Sequence, residues 1–250
     1  MKNFLALVFS ILVGVMILMS LNGNSAFNEF GESDFMNGIA KAFVVKNHED
    51  VETTQEVVFG ETQDPESGPA NLITSIVADY RSFDTLGEIT VLFVSSLGVA
   101  LLLGGKKQKR FELNFNPNFM LRVGSKALFG IILMTGIYVT IHGHLTPGGG
   151  FPGGTMIASS ILLLYLADDT FRTKIKGFKI LESIAGSLYV VIGLVGLILF
   201  DSFLINFLDN GIVGDLFSSG IIPIVYVLIG LKVGSEISGI IDNFLTEEVV

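Results

Sequence analysis

The sequence predicts an all-α, polytopic membrane protein with about six transmembrane helices and an acidic extracytoplasmic loop. Three observations predict it. Half of the 250 residues are hydrophobic, and the mean hydropathy of +0.66 is too high for an ordinary soluble domain. Several apolar runs approach the ~20 residues that a bilayer core demands at about 1.5 Å of rise per residue. The charge, net −9, is unevenly placed. There is no cysteine, so disulfides, thiolate metal sites, iron–sulfur ligation and cysteine nucleophiles are excluded.

The first span covers residues 4–21. Lys2, the apolar run and Asn24-Ser-Ala26 superficially fit a secretory signal. The run is longer than the usual signal core of about 7–15 residues, so a retained span is expected. Cleavage would leave the remaining topology unchanged. Residues 22–69 are the longest polar stretch. They hold Glu29, Glu32, Asp34, Glu49, Asp50, Glu52, Glu56, Glu61, Asp64 and Glu66 against Lys41 and Lys46. A solvated acidic loop is the expectation, since a charge run is usually a solvated face; a cation-attracting outer rim is the alternative. Phe43-Val-Val and Val57-Val-Phe offer strands or docking contacts but not a core. Residues 71–80 are apolar and too short to span, and read as an interfacial or re-entrant helix. Further spans follow at 86–103, 120–141, 153–169, 180–200 and 220–240.

With the N-terminus inside, every Lys and Arg except Lys41, Lys46 and Arg81 falls on or toward the inner side. The positive-inside rule favours that arrangement, with both termini cytoplasmic. Residues 105–118 are basic and hold Pro117, and read as a cytoplasmic linker. It separates a two-span module, 1–104, from a four-span module, 119–241. Residues 242–250 form a cytoplasmic tail. The lipid bilayer is thus one partner.

Ionisable residues inside spans are functional candidates by default. Asp79, Arg81, Asp84 and Glu88 form the first group. Asp84 suits a helix start, as cap and as an acid facing the positive end of the dipole. That reading is weaker for Glu88, which lies inside the hydrophobic run. Desolvation and a cation such as Arg81 would act on it in opposite senses, as a proton carrier requires. Lys232 and Glu236 form the second group, four apart on one helix face. An unpaired Lys232 near mid-span would cost ~3 kcal/mol or more. Lys before Glu is the weaker helical order, which leaves room for pairing by a neighbouring chain. An ion pair fixing helix contacts and a station on an ion path both fit. Gly230, Gly234 and Ser238 on the same helix give small-xxx-small spacings that allow close packing. Glu182, at the inner end of the fifth span, is expected to snorkel or to pair with Lys176 or Lys179.

Between the third and fourth spans stands His142-Gly-His-Leu-Thr-Pro-Gly-Gly-Gly-Phe-Pro-Gly-Gly154. Most of these residues are Gly or Pro, which neither flanking helix accommodates cheaply. Irregular backbone at a membrane must be buried in protein or line a wet cavity. A structural junction is expected, built from His142, His144, Pro147, Gly148, Gly149, Gly150, Gly153 and Gly154. The histidines serve best as hydrogen-bonding groups at a helix end, with a proton relay as a secondary role. Without Cys or a nearby carboxylate, no metal site is expected there. The loop lacks the Gly-Lys-Ser/Thr ending of a phosphate cradle, so no nucleotide is expected, and no nucleic acid.

This motif strongly resembles the MnhB signature of Mrp/Mnh multisubunit sodium/proton antiporters, and that of the corresponding component of energy-converting membrane-bound hydrogenases. The likeness runs from about residue 119 to 241. The common form has Gln where this chain has Pro152, so any polar contact of that side chain is lost. Asn71-Leu-Ile-Thr-Ser-Ile-Val-Ala-Asp-Tyr-Arg-Ser-Phe-Asp-Thr-Leu-Gly-Glu-Ile-Thr-Val91 in turn resembles the C-terminal part of the large antiporter component MnhA and the hydrogenase component MbhE. Tyr80 stands for the usual Phe and Ser82 for Gly; the acids and Arg81 are kept. The chain is thus similar to a fusion of MbhE-like and MnhB-like components.

The resemblance implies an accessory, non-catalytic subunit of a complex that exchanges Na+ for H+ in the cytoplasmic membrane of a prokaryote, with no cofactor in this chain. Its partners would be other antiporter or hydrogenase membrane subunits, in a plain antiporter or a hydrogenase- or sulfur-linked complex. Glu88 is the first ion-path candidate, tuned by Asp79, Arg81 and Asp84, with Lys232 and Glu236 next. A purely structural subunit and a free-standing channel or transporter are the competing readings.

Overall fold

The computed structural model describes residues 2–22, 39–49, 56–103, 108–110, 118–167, 171 and 175–248. The expectations for Glu29, Glu32, Asp34, Asp50, Glu52 and most of the basic linker fall outside these residues.

Residues 1–42 form one compact unit and 43–250 another. The first holds α1 (Lys2–Asn22), an apolar helix, and the start of α2 (Ile39–His48). The second holds the rest. In it, α3 (Leu72–Thr74) runs into a π-helical turn, Ser75–Tyr80. That turn closes with an i→i+5 bond, Arg81 N to Ile76 O, at 2.9 Å. After this break come α4 (Ser82–Leu103), α5 (Phe119–Ile141), α6 (Gly150–Ala167), α7 (Ile175–Phe200) and α8 (Ile222–Phe244). Among the described residues, five helices are long and apolar enough to cross a membrane; α1 contributes the shorter apolar stretch Leu7–Met16. Strands β1 (Gln108–Arg110) and β2 (Thr246–Glu248) pair antiparallel beyond the helices.

Local chemistry sets several boundaries. Asn118 caps α5 by accepting from Leu121 N at 2.8 Å. His142 ends it, its N–H donating to Tyr138 O at 2.9 Å. The glycine run does not stop the next helix: α6 begins at Gly150, earlier than the expected 153. Pro152 falls in its first turn, where no intrahelical donor is lost. The missing side chains are used for approach. A Cβ on Gly150 would lie 2.5 Å from Tyr226 O and 2.6 Å from Ile229 Cβ. One on Gly154 would lie 2.8 Å from Gly230 O and 3.0 Å from Gly234 N. The small-xxx-small face of α8 thus meets a matching face on α6, which brings dispersion contacts that lipid cannot replace.

Helix α8 is the centre of the bundle, with α4, α6 and α7 packed around it and α5 against α6. Of its most apolar stretch, 61% is buried, against 6% for α4. The core joins Val225, Tyr226, Ile229 and Val233 of α8 to Ile89 of α4 and Tyr189 of α7. Residues 43–104 and the four-span stretch thus belong to one compact unit.

Part of the acidic stretch is fastened to the bundle, while Glu49, Glu56, Glu61, Asp64 and Glu66 remain exposed. Asn210 Nδ2 donates to Pro65 O at 2.8 Å, and Gly211 N to Asp64 Oδ1 at 2.6 Å. Asn47 Nδ2 donates to Pro69 O at 2.8 Å and to Ser75 Oγ at 3.1 Å. Val57-Val-Phe supplies docking, not a strand: Phe59 lies against Gly214. Phe43-Val-Val is helical, within α2.

Two glycines separate close packing from mere flexibility. Gly150→Ala should destabilise the purified chain by about 1–3 kcal/mol through overpacking. Gly124→Ala, where a Cβ meets nothing within 4 Å, should be neutral or stabilising by up to about 1 kcal/mol. Denaturation of both variants in detergent reads the difference.

Candidate functional site

Three helices converge on one charged group. Lys232 and Glu236 are 8% and 0% exposed. Lys232 Nζ donates to Glu236 Oε1 at 2.5 Å. The pair forms within α8 despite its weaker order, because burial leaves neither group a better partner. From α4, the Phe93 ring centroid lies 4.9 Å from Lys232 Nζ, a cation–π distance. From α7, Glu182 acts electrostatically on both members. Gly186 opens the space for the lysine stem: a Cβ there would lie 3.3 Å from Lys232 Cδ. Glu236 Oε2 is buried without a hydrogen-bond partner. Of the lysines expected near Glu182, Lys179 is exposed and does act on it, though more weakly than Lys232. The side chain of Lys176 lies outside the described residues.

The first group does not converge. Asp79 lies on the π-helical turn, and burial and the nearby Glu66 carboxylate push its carboxyl up to about 6. Glu66 is itself paired with Lys46. Tyr80 is raised too, by burial and then by Glu66 and Asp79. Arg81 pairs with Asp84, Nε to Oδ2 at 2.6 Å, on the exposed surface. Among the described residues no hydrogen bond or ion pair joins any of these to Glu88, which is exposed on α4. Its electrostatic effect within the chain falls on Tyr189.

The Gly-rich junction is closed by the first motif. Asn71 Nδ2 donates to Gly143 O and Thr146 O, each at 3.0 Å, and Asn71 N to His144 O at 3.1 Å. Thr74 Oγ1 donates to Gly143 O at 2.7 Å, and Tyr226 OH to Thr74 Oγ1 at 3.0 Å. The irregular carbonyls thus find partners inside the chain, as a low-dielectric site requires. Gly143 and Gly149 face each other so closely that a Cβ on Gly143 would lie 2.5 Å from Gly149 Cα. Gly149 has φ +136°, and a Cβ on Gly148 would lie 2.8 Å from Val139 O. Thr146, next to Pro147, donates its N–H to His142 O at 2.9 Å, completing the turn. His142 stacks on Tyr138, centroids 4.1 Å apart. His144 is fully buried, with Nε2 3.4 Å from Asp215 O. Burial holds its imidazole below the usual value, favouring the neutral ring. Among the described residues, no three His, Asp or Glu converge as metal ligands do.

Residues 120–239 match the family described as a domain related to the MnhB subunit of Na+/H+ antiporters, and residues 35–111 match the MbhE family of MBH. A chain in the structure of the membrane-bound sulfane sulfur reductase, an archaeal respiratory membrane complex, is 39% identical, with a TM-score of 0.75 over 99% of both chains. The chain belongs to the family of fused MbhE–MnhB membrane subunits. An uncharacterised protein of Methanocaldococcus jannaschii is 29% identical over 67% of this chain and 74% of its own length. The MnhB-type component of the Na+/H+ antiporter of Bacillus subtilis is 39% identical over 33% of this chain and 59% of its own. A chain of the Mrp complex from Dietzia shares the fold, with a TM-score of 0.66 at 23% identity, over 98% of this chain and 26% of that one.

The family signatures and the buried charges occupy different places. The MbhE-type segment caps the MnhB-type junction through Asn71 and Thr74, while the Lys232–Glu236 pair sits further along α8. Sequence reasoning missed both the caps and the place of Glu182. Asn71 before an apolar turn was a visible capping signal; nothing in the sequence ties Glu182 to α8.

Asp79 gives a pH-dependent test. The folded chain keeps it protonated up to about pH 6, against an ordinary carboxyl value of 3.8. Its stabilising effect is therefore complete below the unfolded value and is lost as pH rises through 6. Asp79→Asn should gain on the order of 2 kcal/mol over the parent at about pH 8 and almost nothing at about pH 4. Denaturation midpoints at both pH values read this. Asn71→Ala should cost about 1–3 kcal/mol by leaving Gly143 and Thr146 carbonyls unpartnered, with faster amide exchange confined to residues 142–149.

Proposed function

We propose that this chain is a non-catalytic membrane subunit of a redox-linked, cation- and proton-translocating respiratory complex, of the kind that the sulfane sulfur reductase represents. Both termini face the cytoplasm, and Lys232–Glu236 is a station on the ion path. The buried pair carries the reading. A charge at the middle of a span is costly, and replacing a buried ion pair by apolar residues is often neutral or stabilising. Helix contacts alone therefore do not account for keeping it. The 39% identity to a respiratory-complex chain over 99% of both chains supports a redox-linked assembly over a plain antiporter, since the Mrp chain that covers as much of this one does so at 23% identity. Neighbouring membrane subunits cover the outward face of α4, where Glu88 is a second ion-path residue at the boundary with them. Na+ and H+ are the transported species, and other subunits hold the redox centres.

The test separates path from packing. Glu236→Gln alone would leave Lys232 buried and unpaired, costing about 3–5 kcal/mol. The double variant Lys232→Met with Glu236→Leu removes both charges and should assemble normally. Reconstituted complex carrying it should lose about tenfold or more of its proton movement in vesicles. Normal translocation by an intact double-variant complex would reduce the pair to scaffolding.

A further inference from the structure

Glu236 makes one hydrogen bond where a carboxylate in a membrane needs several. Its Oε1 takes the Lys232 ammonium, while its fully buried Oε2 has no hydrogen-bond partner. Glu182 of α7 lies close enough for the two carboxylates to interact. Among the described residues, the cations acting on the two carboxylates are Lys232 on α8 and Lys179 on α7, and α4 brings the Phe93 ring. Lys179 is exposed. Among the described residues, Lys232 is thus the buried ammonium that acts on both carboxylates, while Lys179 acts on Glu182 from the exposed surface.

We propose that Glu182 and Glu236 share a single proton, bound between Glu182 and the free Oε2, and that Glu182 is the residue through which the buried pair exchanges protons. One bound proton makes the group of Glu182, Lys232 and Glu236 neutral overall and gives Oε2 its missing hydrogen bond. It is also the cation that needs fewest ligands: no third Asp, Glu or His among the described residues joins the two carboxylates. Transfer breaks the O–H bond of one carboxylic acid as the other forms, with no change in total charge. Glu182 is half-buried while Glu236 is enclosed, so exchange with the surroundings passes through Glu182. The ammonium of Lys232 stays on Oε1 and holds Glu236 in place. This inference deepens the ion-path reading and rests on it for its purpose.

Infrared difference spectra of the assembled complex at about pH 7 provide the test. Parent minus Glu182→Gln should show the loss of about one protonated carboxyl, and Glu182→Asp should retain it. Glu182→Gln should also slow proton movement about tenfold, with Glu182→Asp restoring most of it. A protonated carboxyl that survives Glu182→Gln overturns the shared proton. So does one that disappears when Na+ is added, which would make the site a metal-cation site. Should the charge-free double variant translocate normally while the carboxyl signal behaves as described, the ion-path reading falls and the shared proton stands.

Discussion

The contact between the start of α6 and the middle of α8 places everything else. Gly150 and Gly154 let one backbone lie against Tyr226, Gly230 and Gly234 of the other, at distances that exclude any side chain. In lipid, association gains little from the hydrophobic effect, since the tails are as apolar as leucine. Close packing and polar contacts are what remain. With α6 set on one side of α8, the side carrying Lys232 and Glu236 is left to α7 and α4. Tyr226, wedged at the junction, then reaches Thr74 and through it the Gly143 carbonyl.

The junction also shows why the two modules act as one. Residues 71–74 offer donors and residues 143–146 offer carbonyls, and neither set is satisfied by its own helix. A separate MbhE-like chain would have to find this docking place by diffusion. Fusion holds the donors at high effective concentration, the advantage that a linker gives any two-part contact.

The spans and both motifs were legible because length, hydropathy and Gly/Pro content are local properties. The small-xxx-small spacing of α8 was legible for the same reason. What escaped was orientation. In a soluble helix, the apolar stripe marks the inside; here lipid-facing and core-facing sides are equally apolar. Glu88 looked buried because it lies deep in an apolar run, yet it points outward. Glu182 looked peripheral because of the lysines near it in sequence, yet it is half-buried and Lys232 of α8 acts on it more strongly than Lys179 does. The start of α6 was set too late because glycine's low helix propensity, about 1 kcal/mol per residue, is outweighed by packing that only glycine allows.

The bundle's central helix is the last of its helices in the sequence. Helices α4 to α7 must therefore leave the ribosome before the surface that gathers them exists. Until α8 arrives, the bare glycine face of α6 and the carboxyl of Glu182 have no permanent neighbour, and Tyr226 cannot yet lock Thr74 to the junction. The bundle is thus completed by a helix that brings both the glycine face matching α6 and Lys232, the buried ammonium that acts on Glu182.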